Sequence, residues 1–420
     1  MWQITVSSAE PAPAPGGLRA AWSLLRRNRD FRRLYLASVV SLGGDWFLVV
    51  ALFSLVLDLS DSPLAIAGIL AAQDLTYFLL SPAAGSLADR LDRRWLMVAA
   101  DLGRMVLVLG FLFVRTPETL WIAYPLLGAA ATLAAVFEPA SAAALPNVVD
   151  REDLSLANAI SGSLWGTMLA LGAAIGGVVT ATVGRDAAIV LDAASFGVSA
   201  LLLRGVARPL TLERSEHTGI REATVETARY ARQDHRVLAL VAVKFGWGIA
   251  GGVLVLIPLM AERFGAGEVG IGLLMAARGI GALVGPFVGR ASMGPAETRL
   301  FRAISVALGV FGLGYVGLGF APGLLLAAPA VVLAHVGGGA TWTLSSYGLQ
   351  KIVPDRIRGR IFAFDGMLVT LTFGTSSVLT GFLADRYDPP TAATIMGAAA
   401  LAWAIGWTWL TTDVRRRPLV

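Results

Sequence analysis

The chain contains no cysteine. Disulfides, thiolate nucleophiles and cysteine-ligated metals are therefore excluded, and the redox character of the compartment leaves no mark on the sequence. Charge is scarce too: Asp, Glu, Lys and Arg make up 15% of the 420 residues, against about 25% in typical soluble domains. No G-x-x-x-x-G-K-[ST] loop and no H-E-x-x-H pair occurs, so neither ATP nor zinc has its usual carrier. No metal, no cofactor and no soluble enzyme chemistry is expected. An intramembrane enzyme would need a catalytic pair such as Asp45 and His335 facing one another, which spacing alone does not establish.

What the chain has instead is apolar length. Hydrophobic residues reach 56% and the mean hydropathy is +0.68, the composition of a membrane protein. Segments long enough to cross a hydrocarbon core of about 30 Å occur at 33–58, 63–87, 95–115, 119–145, 155–183 and 186–204. A second set follows at 237–261, 268–289, 300–319, 322–349, 360–384 and 390–411. Residues 1–30 read as a tail without a cleavable signal. Residues 205–235, rich in Ala, Glu and Arg, read as a surface linker, and 412–420 as a second tail.

The net charge of +5 raises the question of nucleic acid, but the placement of the basic residues answers it. Of 34 Lys and Arg, 27 fall in the tails, the linker and the turns after the second, fourth, eighth and tenth segments. Four lie in the opposite loops, and Arg104, Lys244 and Arg278 lie inside segments. That bias puts both termini in the cytoplasm by the positive-inside rule and places the chain in the plasma or inner membrane. The basic face needs only water and anionic lipid as partners, and no nucleic acid.

The two sets of six echo each other. Gly85-x-x-x-x-Arg90 recurs as Gly285-x-x-x-x-Arg290, and Leu145-Pro146 recurs as Val353-Pro354. The expected fold is an all-α integral membrane protein of twelve transmembrane helices in two pseudo-symmetric six-helix bundles, 31–204 and 236–411. Repeated halves of this kind characterise transporters with a cavity at the interface near the midplane.

The turn Gly85-Ser-Leu-Ala-Asp89-Arg90-Leu-Asp-Arg93-Arg94 resembles the signature between the second and third helices of the major facilitator superfamily, with Asp92 where that pattern has glycine. NRDFRRLYLASVVSLGGDWF, FEPASAAALPNVVDREDLSLANAI and QKIVPDRIRGRIFAF look like the branch of bacterial exporters that includes enterobactin and macrolide efflux proteins. The resemblance implies alternating access, with Asp89, Arg90 and Arg93 locking the halves on the cytoplasmic side. Gly85 and Arg94 belong to the same turn, and Asp365, by its place near the start of the eleventh segment, is read as part of the gate. A carboxylate such as Asp89 against a helix N-terminus contributes about 0.3–1 kcal/mol exposed and up to ~2 kcal/mol when partly buried. Gly172, Gly176 and Gly177 resemble the end of the family's antiporter motif, with Ala173 in place of proline and Met168 where glycine stands. These glycines, with Gly281 and Gly285, also suit close helix crossing.

Ionisable residues inside the spans cost about 2.5–3.5 kcal/mol each at the bilayer centre, so they mark sites. Asp45, Asp74, Arg278 and His335 fall near the midplane, with Glu138 and Lys244 deeper toward the cytoplasm. Asp45 and Glu138 are read as contacts for a cationic or polar substrate or for a proton; the alternative is a fixed partner, Arg278 or Lys244. The i, i+3 spacing of Asp101 and Arg104 predicts a local pair, though Arg104 could also face the cavity. His335 is read as bonding a backbone group or relaying a proton, and Asp192 as capping or snorkelling near the outer surface. Trp46, Phe47, Trp165, Phe245, Trp247 and Trp342 would line a cavity for bulky amphipathic compounds, or face lipid. The function expected is proton-coupled efflux of small molecules by a monomer, with importer, lipid flippase or non-transporting sensor as alternatives.

Overall fold

The computed structural model describes residues 18–150, 152–211, 229–230, 232–293 and 299–414, without the side chains of residues 18, 81–86, 88–90, 155, 159, 355, 356 and 359. No strand occurs among the described residues. Among the described residues, twelve helices are long and apolar enough to cross a membrane, the architecture in which a chain can satisfy its own backbone polar groups in lipid. The first six are α1 (Arg29–Leu59), α2 (Pro63–Arg90), α3 (Arg93–Phe113), α4 (Pro117–Val148), α5 (Leu156–Val183) and α6 (Arg185–Arg204). The second six are α7 (His235–Arg263), α8 (Gly267–Met293), α9 (Leu300–Gly319), α10 (Leu324–Ile352), α11 (Asp355–Arg386) and α12 (Pro389–Leu410). An even number of crossings brings Leu18 and Val414 to one side, the termini face; the opposite side is the far face.

Helix ends fall where polar side chains take up the unpaired backbone donors. Asn28 accepts from the Phe31 amide at 2.9 Å ahead of α1, and Ser62 from the Leu64 amide ahead of α2. Asp92, the departure from the glycine pattern, is the N-cap of α3 and accepts from the Arg94 and Trp95 amides at 2.9 and 3.3 Å. Asp388 caps α12, and the Thr391 amide at 2.6 Å holds its carboxyl below the usual carboxylate range. Inside the spans, α7 is broken by a 3-10 turn, Gly251–Val255. Ser376 of α11 repairs the break: its hydroxyl donates to the Ile249 carbonyl and accepts from the Gly252 amide at 3.1 Å.

The buried apolar residues form two bodies. One joins the far-face part of α1–α6, with Leu48, Phe53, Ile66 and Phe196, to α7–α12, with Leu274, Phe311 and Ile361. The other draws on α1–α6 and the chain flanking them near the termini face, and contains Leu24, Phe31, Met97, Phe137, Leu203 and Leu210. Among the described residues, one buried apolar body thus spans both sets of six, while the other belongs to the first six and their flanking chain alone. Contacts between them run mainly through α5 with α8 and α2 with α11. At the far face Ser54 of α1 donates to Glu268 of α8 at 2.9 Å.

Glycine permits the tightest of these crossings. A Cβ on Gly177 of α5 would stand 2.7 Å from the Glu268 carbonyl oxygen and 3.0 Å from Gly272 Cα, both backbone atoms that cannot turn aside. Gly177→Val is therefore expected to hold the far face apart. In that background a cysteine introduced at Ser54 should react several times faster with a membrane-impermeant maleimide; an unchanged rate would mean that the crossing tolerates a side chain.

Candidate functional site

Within the first six helices a cavity of about 220 Å³ runs from Phe31, Leu34 and Tyr35 at the termini-face end of α1 to Asp45 at mid-span. Arg104 of α3, Phe137 and Glu138 of α4, and Leu164 of α5 complete it, with Ser38, Ser41, Ser141 and Ser161 supplying hydroxyls. Its wall is apolar and aromatic, with a few polar groups gathered at the deep end, the usual make-up of a small-molecule site.

The deep end is organised by one guanidinium. Arg104 of α3 pairs with Asp45 of α1, donates to Ser41 Oγ at 3.2 Å, and lies over the Phe196 ring at 4.1 Å. The i, i+3 pairing expected for Asp101 and Arg104 does not form, because the arginine side chain crosses to Asp45 on another helix. Asp101 instead accepts from Ser41 at 3.5 Å. Asp192 is corrected as well: rather than snorkelling at the surface it is 1% exposed and accepts from Ser195 at 3.3 Å. Gly44 lets α1 pass directly over Asp192 and Ser195. One cation thus serves a group of three carboxylates, of which only Asp45 reaches the cavity. Glu138 lies beside Tyr77 of α2.

The second six helices hold their own buried pair. Lys244 and Asp365 form an ion pair with side chains 1% and 2% exposed. Lys244 also donates to Ser346 at 3.0 Å and sits over the Trp342 ring at 4.3 Å. Lys244 therefore does not serve Asp45 or Glu138, and Asp365 points inward to that lysine. His335 bonds no backbone group; its Nε2 stands 3.3 Å from the Tyr315 hydroxyl, and its ring stacks on Phe311. Both partners lie on α9, so the histidine ties α9 to α10.

Arg278 and Asp74 lie at the junction of the halves. Arg278 of α8 is 6% exposed, and its guanidinium is 5.3 Å from the ring centroids of both Trp46 and Trp165. Asp74 of α2 faces α11, where a Cβ on Gly374 would stand 3.3 Å from its own Cβ. Arg278 acts on Asp74 electrostatically, but the two form no salt bridge within 4.0 Å, and Arg278 is not the partner of Asp45.

Of the expected gate, the side chains of Gly85, Asp89 and Arg90 lie outside the described residues. Arg93 donates to the carbonyls of Ala143 and Leu210 at 3.1 and 3.2 Å, and Arg94 to that of Arg208 at 2.9 Å. They tie the α2–α3 turn to the end of α4 and to the chain leaving α6. Among the packing glycines, Gly172 and Gly176 admit α1 against α5, while Gly281 and Gly285 admit α10 against α8. Gly177 alone of these five bridges the halves.

Comparison with known proteins agrees with this architecture. A family described as "Transmembrane secretion effector" matches residues 19–415. An uncharacterized MFS-type transporter of Mycobacterium tuberculosis (strain ATCC 25618 / H37Rv) is 28% identical over 407 residues, covering 90% of each chain. The class C tetracycline resistance protein of Escherichia coli is 29% identical over 370 residues, covering 84% of this chain and 85% of its own. Among solved structures, a bacterial homologue of the iron transporter ferroportin in an inward-facing state superposes with a TM-score of 0.70 at 16% identity, covering 93% and 99% of the two chains.

Proposed function

The chain belongs to the transmembrane secretion effector family of the major facilitator superfamily of transporters, and from that premise we propose that it exports bulky amphipathic small molecules in exchange for protons. The observation that carries this reading is the cavity ending on the Asp45–Arg104 pair. It extends toward the termini face, while at the far face α1 meets α8 through Ser54 and Glu268 and α5 meets α8 at Gly177. With the termini face cytoplasmic, as the basic residues favour, a cavity reaching toward that face supports uptake of solute from the cytoplasm of a bacterial inner membrane.

The coupling follows from the pair. Asp45 can be neutralised by Arg104 or by a proton, and the two compete. In the cytoplasm-facing form Arg104 holds the carboxylate. In the form open to the far face a proton on Asp45 would release Arg104 toward Asp101 and Asp192, and the choice of partner would track the choice of face. Kinship to the tetracycline resistance protein favours export over import, and the aromatic wall from Phe31, Tyr35 and Phe137 favours solutes with flat apolar parts over sugars or inorganic ions. The finer likeness to enterobactin and macrolide exporters is part of the same proposal, as are the gate roles of Asp89, Arg90 and Arg93.

Inverted membrane vesicles under an imposed pH gradient test it, with a panel of amphipathic dyes and antibiotics. Wild-type protein should accumulate at least one member of the panel and dissipate the gradient as it does so. Asp45→Asn should lower gradient-driven accumulation by roughly 5–150-fold, the range that a coupling free energy of about 1–3 kcal/mol spans. Exchange without a gradient should persist. Gradient-driven transport by Asp45→Asn at the wild-type rate would remove Asp45 from the coupling.

A further inference from the structure

Resting on the transport reading, we propose that Arg278 with the indoles of Trp46 and Trp165 is the recognition site for an anionic head group, so that the solutes carried are aromatic or apolar organic anions. Of the three cations deep within the described spans, Arg104 is held by Asp45 and Lys244 by Asp365. Among the described residues no carboxylate forms a salt bridge with Arg278. Its Nη1 is buried and has no acceptor, and neither has the buried Nε1 of Trp46 beside it. Guanidinium and indole nitrogens only donate. The two groups left unsatisfied at this point are therefore both donors, and an acceptor is what the site lacks.

The surroundings fit an anion that carries a ring. Trp46 and Trp165 meet edge to face at 5.7 Å, and both flank the guanidinium. Trp165 remains 43% exposed, so the indole pair has an open side. A carboxylate or sulfonate can take two parallel hydrogen bonds from the guanidinium fork, while its ring takes the place of an indole against the cation. A cationic solute would meet the same arginine with repulsion. Asp74, the one acid that acts on Arg278, stays on α2 without a salt bridge, and the other polar neighbours, Tyr315 and His335, bond each other.

The position gives the anion leverage. Arg278 belongs to the second six helices and both indoles to the first, with α5 and α8 in backbone contact at the adjacent Gly279, against Ala170, and further toward the far face at Gly272, against Gly177. A head group seated there touches both halves at the point where they meet, so its binding and their relative movement are linked.

Matched dansyl probes decide the matter on the purified full-length protein, with binding read as energy transfer from tryptophan at pH 7.5. Dansylglycine is anionic, dansylcadaverine cationic and dansylamide neutral. Wild type should bind dansylglycine saturably and at least about tenfold tighter than dansylamide. R278Q should lose that preference, with only a several-fold loss of affinity for dansylamide from the missing cation–ring contact, and R278K should keep part of it. Equal affinity for dansylglycine and dansylamide in the wild type, tighter binding of dansylcadaverine, or an undiminished preference in R278Q would each overturn the anion site. If R278Q fails to fold, the wild-type order of affinities and R278K still decide. The transport reading is checked separately, by spin labels on cysteines introduced at each face. A wild type that interconverts between open faces yet prefers the cation loses only the anion site. One that never interconverts loses the transport reading, while a dansylglycine preference would still stand for the site.

Discussion

Bridging Ser54→Cys and Glu268→Cys with a short bifunctional thiol reagent is expected to reduce transport to background, and reduction of the bridge should restore it. The two side chains meet at 2.9 Å across the far-face contact of α1 and α8, so a linker of a few ångströms can join them without displacing either helix. With no cysteine elsewhere in the chain, the two thiols have only each other within the molecule. Alternating access requires this contact to part each time the cavity opens to the far face, because that opening separates the helices a bridge would hold. Substitution without the reagent removes one part-buried hydrogen bond, worth about 0.5–1.5 kcal/mol, which biases the equilibrium but leaves turnover. Full cross-linking with undiminished flux would show that solute crosses without separation of α1 and α8, and the rocking of two halves would have to be abandoned.

The elements that a sequence reveals here are those set by length and local chemistry. Pro63 after Ser62, and Pro389 after Asp388, mark helix starts because proline suits the first turn and the preceding side chain caps it; both spans begin there. The repeated glycines announced close crossings, and Gly177 against Gly272 is one. Azimuth was not legible. Depth along a span can be counted at ~1.5 Å per residue, but the helix that a side chain faces depends on packing among distant segments. Asp101 and Arg104 share a helix face, and the longer side chain still turned away to Asp45, sixty residues upstream in the chain's first span. Asp192 looked peripheral by its distance from the helix start, and Gly44 on another helix is what buries it. Arg278 drew attention as a charge in search of an acid, whereas its neighbours are indoles, a pairing with no signature in spacing. The break in α7 depends likewise on a serine more than a hundred residues away.

Arg104→Met should be the most damaging single substitution in the first six helices. Asp45 pairs with that guanidinium, and Asp101 and Asp192, 0% and 1% exposed, lie within its electrostatic reach. Removing one partner of a buried pair costs about 3–5 kcal/mol, because the remaining charge is left in a poor solvent. Here three acids lose their cation together, and the Phe196 face that packs on the guanidinium loses its partner too. Asp45→Asn should be milder. It leaves Arg104 with Asp101 and Asp192, and Asp45 itself, with a side chain 35% exposed in the cavity, was partly solvated. The order expected for the thermal midpoint of monodisperse protein on size exclusion is wild type, then Asp45→Asn, then Arg104→Met well below both. Adding Asp45→Asn to Arg104→Met should recover part of the loss, since one orphaned acid is removed. If Arg104→Met were as stable as the wild type, the three carboxylates would not depend on the arginine, and the competition between Arg104 and a proton for Asp45 would lose its basis.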